Sequence, residues 1–313
     1  MTRLLGSRAV RLGIAVALTS YLLWTNDPAA ILRAGAGADW RWIGVACGLV
    51  LVDRALMAWR WVALLRPVTP ATLRLGAVMR VFFVSSFLGT FLPASIGGDA
   101  VRAYGVMRHD VPGSAAVASV AMDRALGVVS VLLLGLVSAL TLSTVVPTGV
   151  WVLLAVGGAA SLAVAAVIFA DAIGDAVGRL AVRVPGIRLR HVIHRVLEAV
   201  RAYRHHHRAL AGVLAASVAV QVLRVLEAWC LGRSLGIEAS PAVYFVAIPI
   251  CVLIMQVPVT VNGLGTGQAA FLWTFAPAGV ARPDALALSI LFIALGIVGN
   301  LPGGLLYAFG GRR

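Results

Sequence analysis

Apolar runs long enough to cross a bilayer recur along the chain, separated by short polar or arginine-bearing segments. A spanning helix needs about 20 largely apolar residues, and such runs occupy roughly 9–25, 42–62, 115–140, 149–170, 209–233 and 285–309. Two further apolar stretches, 75–112 and 242–279, are each broken midway by proline and glycine. The breaks read Leu92-Pro93-Ala94-Ser95-Ile96-Gly97-Gly98-Asp99 and Val257-Pro258-Val259-Thr260-Val261-Asn262-Gly263-Leu264-Gly265. Such a break marks either a loop between two full spans or the tip of a re-entrant hairpin.

Arginine placement orients these elements, because short cytoplasmic loops are enriched in basic residues. Arg3, Arg8 and Arg11 put the N-terminus inside, as do Arg312 and Arg313 for the C-terminus. Arg60, Arg66 and Arg74 put the following loop inside, and the connection 175–208, with eight arginines, is inside as well. Counting spans from that connection makes 75–112 start and end inside and 242–279 start and end outside. The two broken stretches are therefore expected as hairpins that enter from opposite faces. They also look alike: Pro93-x-Ser95-Ile96-x-Gly98 matches Pro258-x-Thr260-Val261-x-Gly263. The spans that follow match too, with Ala125-Leu126-Gly127-Val128-Val129 beside Ala294-Leu295-Gly296-Ile297-Val298. Alanine- and leucine-rich spans match readily by chance, but the charge parity agrees with the similarity. Together they predict an inverted repeat, an arrangement that places transporter sites near the midplane at the repeat interface.

Composition agrees. Of the 313 residues 61% are hydrophobic and 12% charged, against about 45–50% and about 25% in soluble domains. Soluble enzymes, nucleic-acid modules and disulfide scaffolds are excluded. The fold class expected is an all-α polytopic membrane protein, a single transmembrane domain over 1–313 with about six full spans plus the two hairpins. The net charge is +14, from 26 arginines and no lysine. GC-rich coding explains the bias, yet arginine forks still bind phosphate in bidentate fashion. A membrane surface is the expected partner of this charge, and nucleic acid is not. Cys47, Cys230 and Cys251 lie within apolar runs without metal spacing and read as core residues. The first apolar run lacks an Ala-x-Ala site and is expected to stay as an anchor. Leu189, Ile193, Val196, Leu197, Val200 and Tyr203 recur at helical spacing, which predicts an amphipathic helix on the inner leaflet. His205, His206 and His207 are consecutive and read as a solvated basic tip.

Charges inside apolar runs are costly and are functional candidates. They are Asp53 with Arg54, Arg80 with Asp99 and Arg102, Asp123 with Arg124, and Arg224 with Glu227. Arg224 and Glu227 stand at i,i+3, close enough to pair. Asp123 and Arg124 are adjacent, so their side chains diverge by about 100° on a helix and each needs another partner. Arg124 is expected to face an anionic headgroup. Gly97 and Gly98, and Gly263 and Gly265 with nearby Gln268, add backbone amides at the hairpin tips, suited to an anion. No catalytic residue, metal set or cofactor motif is assigned.

Leu92 to Tyr104 and Ser119-Val120-Ala121-Met122-Asp123-Arg124-Ala125-Leu126-Gly127 resemble the flippase-like membrane family named after the transmembrane region of lysylphosphatidylglycerol synthase. Pro258 to Gly265 and Leu301-Pro302-Gly303-Gly304 are similar to it as well. The resemblance implies a protein of the bacterial cytoplasmic membrane that moves lipids between leaflets, either anionic phospholipid or polyprenyl-phosphate-linked sugar. Many relatives carry an Arg-Glu pair where this chain has Gly267-Gln268. The chain ends nine residues after Gly304, so the synthase's aminoacyl-transfer domain is expected to be absent. The expected function is lipid translocation with the headgroup held by Arg102 and Arg124. The alternatives are an intramembrane transferase acting on a lipid-linked sugar, or a non-transporting partner of a lipid-modifying enzyme. A second copy of the chain or a lipid-synthesis enzyme is the protein partner to look for.

Overall fold

The computed structural model describes residues 37–69, 73–91, 96–141, 148–170, 187–256 and 266–309, with residues 176 and 179. All regular structure in them is helical, as the bilayer interior requires of a chain that does not close a barrel. Five helices are long and apolar enough to span: α1 Trp40–Leu65, α4 Gly113–Thr141, α5 Thr148–Phe169, α7 His207–Ser234 and α10 Arg282–Phe309. They correspond to the expected runs 42–62, 115–140, 149–170, 209–233 and 285–309. The expected run 9–25 lies outside the described residues.

The broken stretches each form two short helices, α2 Leu75–Gly89 with α3 Ile96–Met107, and α8 Pro241–Gln256 with α9 Thr266–Phe275. At 1.5 Å per residue these are about 15–24 Å long, less than the roughly 30 Å of a hydrocarbon core. Within each pair the helices run antiparallel. Gly89 meets Gly98 so closely that a Cβ on Gly89 would come 2.8 Å from the Gly98 Cα, while Gly105 lies over Val81. In the second pair Tyr244 packs edge-on to Phe275 at 5.2 Å and Cys251 Sγ lies 3.3 Å from Thr274 Oγ1. The tips themselves, 92–95 and 257–265, fall outside the described residues, and with them Gly263 and Gly265.

The long helices pack across the pairs reciprocally. α10 lies on α2, where a Cβ on Gly303 would overlap the Phe83 carbonyl and Asn300 Nδ2 donates to Thr90 Oγ1 at 2.9 Å. α4 lies on α8, with Gly135 against Pro249 and Leu132 clustered with Ile250. Ends are also tied. Asp39 caps α1 through Arg41 N–H at 2.9 Å, and its own N–H donates to the Ser234 carbonyl at the end of α7.

At the other end, the close of α1 and of α5 and the starts of α4 and α7 gather around Tyr203. Its hydroxyl donates to the Leu64 carbonyl at 2.7 Å. Tyr203 follows α6, Ile187–Arg201, the helix expected to be amphipathic. α6 does form, and it packs beneath α4 as well as carrying basic residues. Burial pushes the Tyr203 phenol above its ordinary pKa, and the Asp123 carboxylate adds to this.

The distribution of polarity is the reverse of a soluble protein's. Val137, Leu140, Val152, Val156, Leu162 and Leu305 face outward, whereas Asp53, Arg60, Arg102, Asp123 and Glu227 are each no more than 5% exposed.

Candidate functional site

Three long helices each turn one polar stripe into a shared interior. On α1 the stripe is Asp53, Arg54, Met57 and Arg60; on α4 it is Ser119, Asp123 and Ser130; on α7 it is Ser217, Gln221, Arg224 and Glu227. Apart from Arg54, which adjoins Asp53, each set repeats every three, four or seven residues, the spacing of one helix face. The apolar positions between them point outward or into the packed seams, which fixes these side chains in the core.

The first ion cluster centres on Asp123. Its Oδ1 accepts from Arg60 Nε at 2.8 Å and its Oδ2 from Arg102 Nη1 at 3.1 Å. Arg60 Nη1 also donates to Ser217 Oγ at 2.9 Å, which links α7 to the group. The Arg102 guanidinium lies 4.5 Å from the Phe82 ring centre and 5.4 Å from that of Trp61, a placement that favours a cation. Trp61 in turn donates to Ser119. Next to this group Arg124 grips Asp99 with both arms of its fork, at 2.8 and 3.0 Å. The cluster holds three guanidiniums (Arg60, Arg102, Arg124) and two carboxylates (Asp99, Asp123), a residual charge of +1. Arg102 Nε is buried without an acceptor. Arg124 is 42% exposed and Asp99 18%, so this pair forms the open edge of an otherwise closed group.

The second cluster lies two turns along α1, about 10 Å by helical rise. Asp53 Oδ2 accepts from Arg54 at 3.1 Å, and Arg224 Nε approaches Asp53 Oδ1 at 3.5 Å. Both arginines also donate to the Met57 sulfur, and Arg54 reaches the Gly296 carbonyl of α10 at 3.4 Å. Gln221 joins α7 to Ser130 of α4 between the clusters. Glu227 Oε1 is buried without a hydrogen-bond partner.

These contacts bring together Asp99, Arg102, Asp123 and Arg124 from the sequence candidates, with Gly98 buried behind them against Gly89 and Gly97 beside it in α3. Arg224 and Glu227 stand in the second cluster, but Arg224 pairs across to Asp53 and not down its own helix to Glu227. The Asp123–Arg124 divergence is as expected, and Arg124 has Asp99 as its partner. Arg80 is not in either cluster: it is half-buried and reaches the Leu306 carbonyl at 3.4 Å, one of the end carbonyls that α10 itself leaves open. Gln268 lies in the first turn of α9, is not among the contacts of either cluster, and has a partner of its own. Sequence reasoning missed Arg60, which the loop-charge count assigned to the cytoplasmic edge. Its position seven residues from Asp53, on the same face of α1, was the available signal.

The family model for the lysylphosphatidylglycerol synthase transmembrane region matches residues 8–303. The chain belongs to this family. The match takes in α1 to α9 and most of α10, and therefore every residue of both clusters. No curated protein and no solved structure matches the chain significantly. Membership ties this family chain to the membrane region of a lipid-modifying system.

Proposed function

We propose that the protein is a flippase-like translocase that carries a phosphate-bearing anionic lipid, or a lipid-linked precursor, between the leaflets of a bacterial cytoplasmic membrane. The observation that carries this reading is the residual +1 charge of the Asp99/Asp123/Arg60/Arg102/Arg124 cluster, with an unpaired buried N–H on Arg102 and an open edge at Arg124. A headgroup crosses a bilayer slowly because its charge must leave water. A protein-lined polar seam lowers that barrier, and a monoanionic phosphate would neutralise the cluster. Arginine forks suit it in geometry as well as sign. Acyl chains would stay in lipid against the apolar outer skin.

The reading treats residues 1–313 as one transmembrane unit built on an inverted repeat. The reciprocal packing of α10 on α2 and of α4 on α8 supports that symmetry. The gathering of four helix ends around Tyr203 supports putting those ends on one side with the basic connection. We assign that side, and both termini, to the cytoplasm.

The test is reconstitution into vesicles containing fluorescent phosphatidylglycerol, with dithionite quenching to count the outer-leaflet fraction. Wild type is expected to exchange the label at least tenfold faster than protein-free vesicles, and Arg102→Ala with Arg124→Ala to lose that gain. No acceleration across a panel of anionic lipids overturns the proposal. A sugar-transfer activity abolished by Asp99→Asn would replace it with an intramembrane transferase.

A further inference from the structure

In the second cluster both arginines turn to one of the two acids, and the other is left without a hydrogen-bond partner on one oxygen. Asp53 takes Arg54 on one oxygen and Arg224 near the other. Both guanidiniums spend further N–H groups on Met57 and one on the Gly296 carbonyl. Glu227 is 3% exposed, and its Oε1 has no hydrogen-bond partner. The charged groups that face it are Asp53 and Arg54 from α1 and Arg224 from its own helix, with Cys230 close by on the next turn. Among the described residues, α4, α8 and α10 bring it no ionised side chain. An ionised, unpaired carboxylate in hydrocarbon, facing a second carboxylate, is a costly state that a proton removes.

Charge arithmetic then connects this acid to the headgroup. With Glu227 ionised, Asp53, Glu227, Arg54 and Arg224 sum to zero; with Glu227 protonated they sum to +1. The first cluster also carries +1. A monoanionic headgroup passing along the α1 stripe therefore meets a matching charge at the second station only while Glu227 holds its proton. Loss of that proton returns the station to neutrality and releases the anion.

We propose that Glu227 is a proton-binding site that couples passage of one anionic headgroup to movement of one proton in the same direction. This rests on the translocase reading above and supplies its driving force. No bond other than the carboxyl O–H forms or breaks, and the proton enters and leaves through water on either side.

The experiment imposes a pH gradient of one unit across phosphatidylcholine vesicles holding the full chain and a trace of fluorescent phosphatidylglycerol. One-to-one symport predicts that the label accumulates about tenfold in the leaflet on the alkaline side, beyond the distribution in protein-free vesicles under the same gradient. Labelled phosphatidylcholine should show no such bias. Glu227→Gln should bring the leaflet ratio back to that of protein-free vesicles, while Glu227→Asp, which keeps a titratable carboxyl, should retain the bias. Exchange by wild type with no bias under the gradient overturns the coupling and leaves the translocase standing. A bias that survives in Glu227→Gln also overturns it. Absence of any exchange by wild type rejects the translocase itself.

Discussion

Gly127 of α4 and Gly296 of α10 occupy matching places in two similar stretches of sequence, and each lies against an arginine of α1. A Cβ at Gly127 would stand 3.8 Å from Arg60 Nη2, and one at Gly296 would stand 3.8 Å from Arg54 Nη2. α1 thus sends one guanidinium to each of two matching helices, and the two clusters follow from that division. Both distances are ordinary van der Waals contacts, so these positions have room for a methyl group.

Gly303 has no such room. A Cβ there would overlap the Phe83 carbonyl and press on Phe87. Gly303→Ala is expected to push α10 off α2 and destabilise the protein by about 1–3 kcal/mol, as overpacking of a tight contact does. Gly296→Ala is expected to change stability by less than about 1 kcal/mol. Melting of both variants in detergent, followed by size-exclusion fluorescence, checks the contrast. Equal losses would mean that close approach at Gly303 is not what limits it.

Among the described residues, Asp123 is the only carboxylate within ion-pair distance of Arg60 and Arg102. Asp123→Asn leaves two buried guanidiniums without a counter-charge, and a loss of about 3–5 kcal/mol is expected. Replacing Arg60 by Met in the same chain should recover part of it, because one stranded charge goes. A double variant as unstable as the single would show that the loss comes from packing and not from charge.

The Asp99–Arg124 pair should behave differently. It is partly open to its surroundings, with Arg124 42% exposed, and exposed pairs contribute about 0–1 kcal/mol. Asp99→Asn is therefore expected to melt within a few degrees of wild type. Its effect should fall on lipid exchange, where Arg124 loses the partner that orients its fork. A melting loss matching that of Asp123→Asn would contradict the difference in burial.

Tyr203 fastens the basic connection to the end of α1 through a buried hydrogen bond at 2.7 Å. Tyr203→Phe leaves the Leu64 carbonyl unpaired and should cost about 1–2 kcal/mol. Because burial raises the phenol above its ordinary value, the neutral, donating form is favoured by folding. Its contribution is then complete below the unfolded tyrosine value of about 10 and is lost only as pH rises through the higher folded value. The stability difference between wild type and Tyr203→Phe should be the same at pH 8 and pH 9.5. A difference that grows between those values would mean that folding lowers the phenol's pKa, contrary to its burial.

Much of this architecture can be read along a single strand of text. Twenty-residue apolar runs give α1, α4, α5, α7 and α10, because in lipid length and hydropathy are nearly the whole specification. The proline–glycine breaks give the short antiparallel pairs. The adjacency of Asp123 and Arg124 gives their separate partners, since neighbours on a helix point apart. Spacing fails where two helices compete for one group. Arg224 and Glu227 are well placed to pair on α7, yet Asp53 arrives from α1 and takes the arginine. Arg60 looks like a loop charge because it sits near the end of an apolar run, and Asp123, 63 positions away, with Ser217, 157 positions away, draws it inside. Such choices depend on which helices become neighbours, information that no periodicity within one helix contains.

The polar stripe of α1 bears on how the chain is made. Arg60 leaves the ribosome well before the residues that hold it: Asp123 comes 63 positions after it, and Ser217 comes 157 positions after it. A lone α1 in lipid would carry the neighbouring Asp53–Arg54 pair and an unbalanced Arg60, and a charge at the centre of a helix costs about 2.5–3.5 kcal/mol on the insertion scale. α1 is therefore a poor membrane resident by itself during synthesis, and it becomes a good one only once α4 and then α7 lie beside it. Final seating of α1 is therefore expected to wait for α7, when nearly three quarters of the chain has been translated.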